Sequence, residues 1–425
     1  MQASQRSSQN HALEYTLEQA NRLRLPPLVL FVLTDAYPEA NLRHYTFMLE
    51  GLRETMAALS RRGIASVVRQ GQPVDTVVQV ASQAAFCVTD RGYTRHQKAW
   101  RQRIAARLAC PFIRIECDAI VPVETTSPKE EWAAATLRPK LGRTLLKYLQ
   151  PVDERDPITS QFQPDMETVN LSTLEDVLAT LSIDRSVPSV TAFRGGTTEA
   201  RHRLDTFIRD HLDHYAATRS DPGTGHTSGL SPYLHFGQIS PLEVALAVRD
   251  HGGPGADAFL EELVIRRELS LNFVHYNQHY DTFAALPAWA ADSLRSHATD
   301  HRPYVYDRDT LERAGTQDPY WNAAQSEMLH TGSMHAYMRM YWSKKILEWS
   351  STPADAYRTA LYLNNRWQLD GRDPNSYAGI AWCFGKHDRA WAERPIFGKV
   401  RYMNAAGLER KFDMKAYAAR HFTGE

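Results

Sequence analysis

A chain of 425 residues, 43% of them apolar, is long enough for two or three domains with cores of their own and is not a disordered polymer. Its 49 Lys/Arg against 49 Asp/Glu leave a formal net charge of zero, which excludes a globally basic nucleic-acid binder and confines any such site to a local patch. No apolar run approaches the roughly 20 residues of a bilayer span, the first ten residues carry no secretion signal, and four cysteines without paired spacing (Cys87, Cys110, Cys117, Cys383) suit a reducing cytoplasm rather than disulfides or a metal.

Between Leu28 and Glu116 short apolar runs alternate with amphipathic stretches, the pattern of a parallel sheet with crossover helices. Strands are predicted at Leu28–Thr34, Ile64–Arg69, Ala85–Thr89 and Phe112–Cys117, with helices at Leu42–Arg62, Pro73–Ala81 and Tyr93–Leu108 between them. A further helix over His11–Arg24 precedes the first strand, where an α/β repeat would place an earlier strand. The expectation is an α/β domain over residues 1–120 whose sheet lacks its first strand, as from a start at an internal methionine. Residues 121–198 hold Pro and Ser/Thr clusters around a predicted helix at Glu130–Leu149 and read as an interdomain connection. From 199 to 425 helical periodicity takes over, with helices predicted at Glu199–Tyr215, Pro241–Asp250, Ala256–Tyr276, Pro319–Leu329, Met334–Ser350, Pro353–Asn365 and Asp388–Arg394. This second domain is expected to be all-α.

Four stretches could carry chemistry. The hydroxyl- and glycine-rich Thr227, Ser228, Gly229, Leu230 and Ser231 could turn donors toward a phosphate, or could simply cap the next helix. On a regular helix Glu262 and Arg266 would share a face at i,i+4, as a solvated ion pair or as an acid and a guanidinium at a cleft mouth. Seven of nine tryptophans fall between Trp289 and Trp391. Trp342 and Trp349 lie seven residues apart, about 10.5 Å along one helix face; with Trp321 they suit a helix core and equally a relay for electrons, since indole is readily oxidised. Finally, a turn-rich run containing Asn364, Asp370, Arg372, Asp373 and Asn375 leads to Trp382. Beyond it Lys386–Lys415 carries eight Lys/Arg against four Asp/Glu, a local patch suited to phosphates.

The runs FLEELVIRRELSLNF (Phe259–Phe273) and GKHDRAWAERPIFGKVRYMN (Gly385–Asn404) resemble the two signature stretches of class II cyclobutane pyrimidine dimer photolyases. SGLSPYLHFGQISP (Ser228–Pro241) and HTGSMHAYMRMYWSKKILEW (His330–Trp349) are similar to that family's flavin-binding segments. The resemblance spans nearly the whole chain. It implies a Rossmann-like antenna domain and a helical domain holding FAD, active as the reduced anion. The implied reaction is the light-driven splitting of a pyrimidine dimer flipped out of DNA. It assigns Tyr215 and Thr227–Ser231 to the FAD phosphates and ribose, with Arg372 in the same binding set. Arg339 and Asp370 become an ion pair beside the isoalloxazine, with Asn364 or Asn375 as the amide at its N5 edge. Glu262 would bond the dimer carbonyls, Trp382 would wall the flipped bases and Arg266 would sit near it. Trp342, then Trp321 or Trp349, would re-reduce the flavin. Arg219, Lys386, Arg389, Lys399 and Arg401 are the expected DNA-phosphate contacts. The antenna chromophore expected is 8-hydroxy-5-deazaflavin, with a folate or an empty site as alternatives. A cytoplasmic monomer acting on UV-damaged DNA without a metal or a protein partner follows. The competing reading is a cryptochrome-like photoreceptor; a nicotinamide oxidoreductase is disfavoured by the lack of a GxGxxG stretch.

Overall fold

The computed structural model describes residues 1–159 and 162–421. Four parallel strands form where apolar runs predict them: β1 (Leu28–Leu33), β2 (Ala65–Gln70), β3 (Cys87–Asp90) and β4 (Phe112–Ile115). Helices α1 (His11–Leu23), α2 (Leu42–Arg61), α3 (Pro73–Val80) and α4 (Arg95–Ala105) alternate with them, each started by a local signal. The Asn10 side chain caps α1, and Pro73 opens α3 with its φ already set for a helix.

One parallel sheet is expected, but the strands form two separate pairs. β1 pairs with β2 and β3 with β4. Between the pairs lies a cavity of about 1050 Å³, lined by Leu28–Val32 on one side and Cys87–Asp90 on the other, with Met1–Ala3 at one end. The Met1 amino group donates to the Leu30 carbonyl (2.9 Å), and the amides of Gln2 and Ser4 donate to the Asp90 carboxylate (2.6 Å each). Burial alone would raise the Asp90 pKa, but the Met1 ammonium and these amides outweigh it and hold it low. β1 and β3, which both line this cavity, each have a strand neighbour on one side only among the described residues, and such open edges are a template for one more parallel strand. An apolar, β-branched strand tethered ahead of Met1 should therefore raise the unfolding midpoint by several degrees in a thermal melt. The same tether with Lys at alternate, inward positions should not.

Segment 121–198 is not a bare linker. Its Leu174–Thr180 helix packs on α2, its Val123–Thr126 and Ala134–Gly142 helices pack on the 261–276 stretch, and Val169 donates to the Val68 carbonyl of β2 (2.8 Å). The helix predicted at Glu130–Leu149 breaks into Ala134–Gly142 and Leu145–Tyr148, because Pro139 removes a donor and Gly142 adds backbone freedom just before the break. Arg43 of α2 ties the domains together by donating to the carbonyls of Pro188, Met328, Leu329 and Trp367 (2.6–3.1 Å); its burial lowers its pKa to about 10.

The remainder is helical, packed around two apolar clusters that include Trp321, Trp342, Trp349 and Tyr357 in one and Phe207, Leu230 and Phe259 in the other. The predicted helix at Glu199–Tyr215 divides at His211 into Thr197–Asp210 and Leu212–Thr218. No helix forms at Asp388–Arg394. There Arg394 and Gly398 pair across a tight turn through two backbone bonds (2.9 and 2.8 Å), and Pro395 follows at once, so the chain turns back instead of winding. Among the described residues no helix is long and apolar enough to cross a membrane.

Candidate active site

The segment Phe259–Phe273 is one continuous rod, but its middle turn, Glu261–Arg266, is a π-helix between Gly253–Leu260 and Arg267–Tyr276. The wider turn moves the i,i+4 partners apart, and the expected Glu262–Arg266 pairing is not made. Arg266 instead bonds Glu261 at i,i+5 (Nε to Oε1, 3.1 Å), and Arg138 holds the same carboxylate (2.6 Å). Glu262 is turned out of that pair and takes a bond from Arg219, which follows the Leu212–Thr218 helix. Both partners keep more than a third of their side-chain surface in solvent. Next to them Tyr215 is buried, and burial first, then the Glu262 charge, pushes its phenol up to about 12.

The loop that begins at Arg219 closes on the N-terminus of the Ala336–Trp349 helix. His335 caps that helix through Nδ1 (3.2 Å from the Tyr337 amide) and lies against the Arg219 carbonyl and Asp221; burial pulls it down to about 4, so it is neutral. Gly229 has φ +62°, a left-handed conformation that glycine adopts without strain, and Leu230 beside it is buried. The Ser231–His235 helix that follows is tied to the 370–375 turn by His235 Nδ1 and Asp373 (3.1 Å). The loop from Arg219 is thus joined to the helix that carries Arg339, and the Ser231–His235 helix to the run that carries Asp370 and Asn375.

Between these segments Arg339 Nη2 donates to both oxygens of Asp370 (3.2 and 3.3 Å) and to Gln368 Oε1 (3.0 Å). Arg339 Nε, Gln368 Nε2 and Asn364 Oδ1 are buried without a partner among the described residues. Each carries a desolvation penalty of about 1–3 kcal/mol unless a partner satisfies it, and the three are neighbours in the fold: Arg339 bonds Gln368, which ends the helix that carries Asn364. They are the donors and acceptor that a polar ring edge would satisfy. Asn375, the other candidate amide, has its Nδ2 committed to Asp373 Oδ1 (2.9 Å), as Asn364 has its own committed to Asn365 Oδ1 (3.2 Å); Asn364 is fully buried and Asn375 half-buried. Arg372, expected in the same set, points the other way: its Nη1 lies on His44 (3.0 Å) and donates to the Asn365 carbonyl (3.1 Å), at the domain seam. Its backbone has φ +69°, which turns the side chain out of the pocket.

Trp321 and Trp342 stack face to face with centroids 6.2 Å apart and planes at 6°, and Trp321 meets Trp349 edge-on at 5.6 Å. All three are at most 1% exposed. Trp321 is therefore the middle ring, a placement that the seven-residue spacing of the other two does not reveal. The ladder continues beyond the tryptophans through Tyr306 (5.4 Å from Trp349) to Tyr304 (6.2 Å further), which is 48% exposed.

Trp382, on the Pro374–Cys383 helix, has two cations near its ring: Lys344 Nζ at 5.7 Å and the Arg401 guanidinium at 5.6 Å. Arg401 also covers Trp391 at 5.1 Å, and Arg389 covers it at the same distance. Trp391 was not singled out from sequence; an aromatic embedded in a basic tract was the signal. Lys344 is wholly buried, bonds the Cys383 carbonyl, and is lowered to about 8 by burial. Lys386, expected on DNA, is instead bonded to Glu130 and to the Ala285 carbonyl, with little surface left to solvent. Its charge is used inside the fold. Arg389 and Lys399 are exposed.

An α/β domain ahead of a helical one that carries a row of three buried tryptophans is the class of fold that these residues define. Residues 1–157 match the family model described as DNA photolyase. A deoxyribodipyrimidine photo-lyase of Methanothermobacter thermautotrophicus is 50% identical over 424 residues, covering 99% of this chain and 93% of the relative. That of Potorous tridactylus is 39% identical over 427 residues, covering 98% and 79%. In fold, the chain is similar to a class III photolyase from Agrobacterium tumefaciens (TM-score 0.76, 19% identity, 99% of this chain and 85% of that one). It is also similar to a Synechocystis cryptochrome (0.75, 15%, 99% and 86%). The chain belongs to the photolyase/cryptochrome family. Membership implies FAD, and the residues present fit it: the unpaired atoms of Arg339, Gln368 and Asn364 offer the hydrogen bonds that a flavin ring edge requires.

Proposed function

We propose that the protein is a class II deoxyribodipyrimidine photo-lyase that splits cyclobutane pyrimidine dimers in DNA under blue light, with FAD held as the reduced anion between Arg339–Asp370 and Asn364. The observation that carries this reading is the cluster of buried, unpartnered polar atoms at Arg339, Gln368 and Asn364, with the Trp342–Trp321–Trp349 ladder running from the Arg339 helix. The chemistry that bound FAD supplies is light-driven donation of one electron to the dimer and its return after the ring opens.

Everything else falls to the chain's own side chains. Tyr215 and Thr227–Ser231 bind the phosphate and ribose portion. Glu262 bonds the dimer carbonyls, which frees Arg219 for a backbone phosphate. Trp382 forms the apolar wall for the flipped bases, Arg401 and Lys344 anchor its ring, and Arg266 sits at the mouth. Trp391, with Arg389 and Arg401, extends the wall toward DNA, and Lys399 completes the phosphate patch. Electrons reach the pocket along Trp349, Trp321 and Trp342 in that order. At its end toward the helical domain the cavity between the half-sheets, lined by Tyr37, His44 and Tyr45, would take a flat antenna pigment. That pigment is of the 8-hydroxy-5-deazaflavin type, or a folate in its place. A monomer in a reducing cytoplasm accords with four free cysteines.

The test is to illuminate the reduced, FAD-loaded chain with UV-irradiated oligothymidine and follow the ultraviolet absorbance of the bases. Recovery in the light and none in the dark is expected; no recovery with FAD bound and reduced would sink the repair reading.

A further inference from the structure

We propose that Glu39, a residue of the α/β domain, decides which end of the Asn364 amide faces the cofactor pocket. Asn365 is the link between them. The inference rests on the flavin reading above and deepens it.

The argument is one of donors and acceptors. Asn365 is fully buried, and its amide is held at both ends. Its Nδ2 donates to Glu39 Oε2 (2.7 Å), and its Oδ1 accepts from the Arg372 backbone N–H (3.0 Å). An ionised carboxylate only accepts and a backbone N–H only donates, so a flipped Asn365 would set oxygen against oxygen and N–H against N–H. With Asn365 fixed, Asn364 is fixed in turn, because the group it presents to Asn365 Oδ1 must be its Nδ2 (3.2 Å). Asn364 is also fully buried, and its remaining oxygen is left without a partner. What the pocket receives is therefore an acceptor. A reduced flavin carries an N–H at N5 and an oxidised flavin a lone pair, so the relay favours the reduced cofactor.

Backbone strain marks the same place. Glu39 has φ +58° and Arg372 φ +69°, left-handed conformations that are strained in non-glycine residues. These two residues hold opposite ends of one amide. Arg372 Nη1 also donates to the Glu39 carbonyl (3.4 Å) and to the Asn365 carbonyl (3.1 Å), which joins both strained turns to the relay.

The experiment uses the full FAD-loaded chain, equilibrated with a redox dye at fixed pH, and reads the ratio of reduced to oxidised flavin. Glu39→Ala, Glu39→Gln, Asn364→Ala and the double variant Glu39→Ala/Asn364→Ala are compared with wild type at equal FAD content. Glu39→Ala should move the ratio toward the oxidised form by about fivefold, the worth of one hydrogen bond. Asn364→Ala should move it the same way, and the double variant no further than Asn364→Ala alone. Glu39→Gln, whose amide can still present an oxygen, should fall between wild type and Glu39→Ala, and carries the test if Glu39→Ala does not fold. A shift in Asn364→Ala with none in either Glu39 variant would overturn the relay and leave the flavin placement standing. No shift in Asn364→Ala would overturn the placement and the relay together.

Discussion

Trp321→Phe should abolish light-driven reduction of the bound flavin while leaving dimer repair intact in protein reduced chemically beforehand. Trp321 is the ring that touches both neighbours, stacked on Trp342 at 6.2 Å and edge-on to Trp349 at 5.6 Å, so a phenyl in its place interrupts the ladder at its centre. Phenyl is far harder to oxidise than indole, and a rise of only about 1.4 kcal/mol in a barrier is already tenfold in rate. Trp342→Phe should behave alike. Trp321→Phe also removes the bond from its indole N–H to the Trp342 carbonyl (2.9 Å) and opens a small cavity in the core. A loss of about 1–3 kcal/mol in stability is expected, measurable by denaturant unfolding. The decisive readout is the bleaching of oxidised flavin in blue light with an external thiol as donor. Wild-type bleaching in Trp321→Phe would place the relay elsewhere.

Glu262→Ala should slow repair by about tenfold or more, the range set by the loss of a hydrogen bond involving a charged group. Flavin content and folding should be unchanged. The argument is one of magnitudes: the Arg219–Glu262 pair is more than a third exposed at both partners, and such pairs contribute at most about 1 kcal/mol to stability. A large fall in repair with an unmoved unfolding midpoint would therefore report contact with the lesion and not damage to the fold. Glu261→Ala is the matched control, since the π-turn commits Glu261 to Arg138 and Arg266. Equal loss in both variants would remove Glu262 from its special place.

Local patterns carried much of this architecture. The strands begin within two residues of the apolar runs that announce them, because alternation and β-branching are properties of short windows. The resembling stretches are legible in sequence as well: Glu262 lies in one signature run and Arg339 in a flavin-binding one, while Asn364 and Trp382 lie in the turn-rich run ahead of the second signature. What sequence hides is whatever depends on pairing at a distance. The division of the sheet into two pairs is a property of strand order, to which each strand's own pattern is blind. The π-turn has the same composition as an α-turn, so the Glu262–Arg266 spacing suggested a contact that the wider turn removes. Lys386 counts as one of eight basic residues in its tract, and only the fold shows its ammonium bonded to Glu130. The Asn365–Glu39 bond joins residues 326 apart in the chain. Arg372 shows the same limit from the other side: its neighbours in sequence belong to the flavin pocket, while its left-handed backbone sends the guanidinium to the domain seam.

The most direct test of the central claim, that this pocket brings a reduced flavin and a pyrimidine dimer together, is the emission lifetime of the bound, fully reduced FAD. It should be measured with oligothymidine carrying a dimer and with the same strand undamaged. The account predicts a shortened lifetime with the dimer alone, and a smaller shortening in Glu262→Ala. Equal lifetimes with damaged and undamaged DNA, both bound, would contradict it.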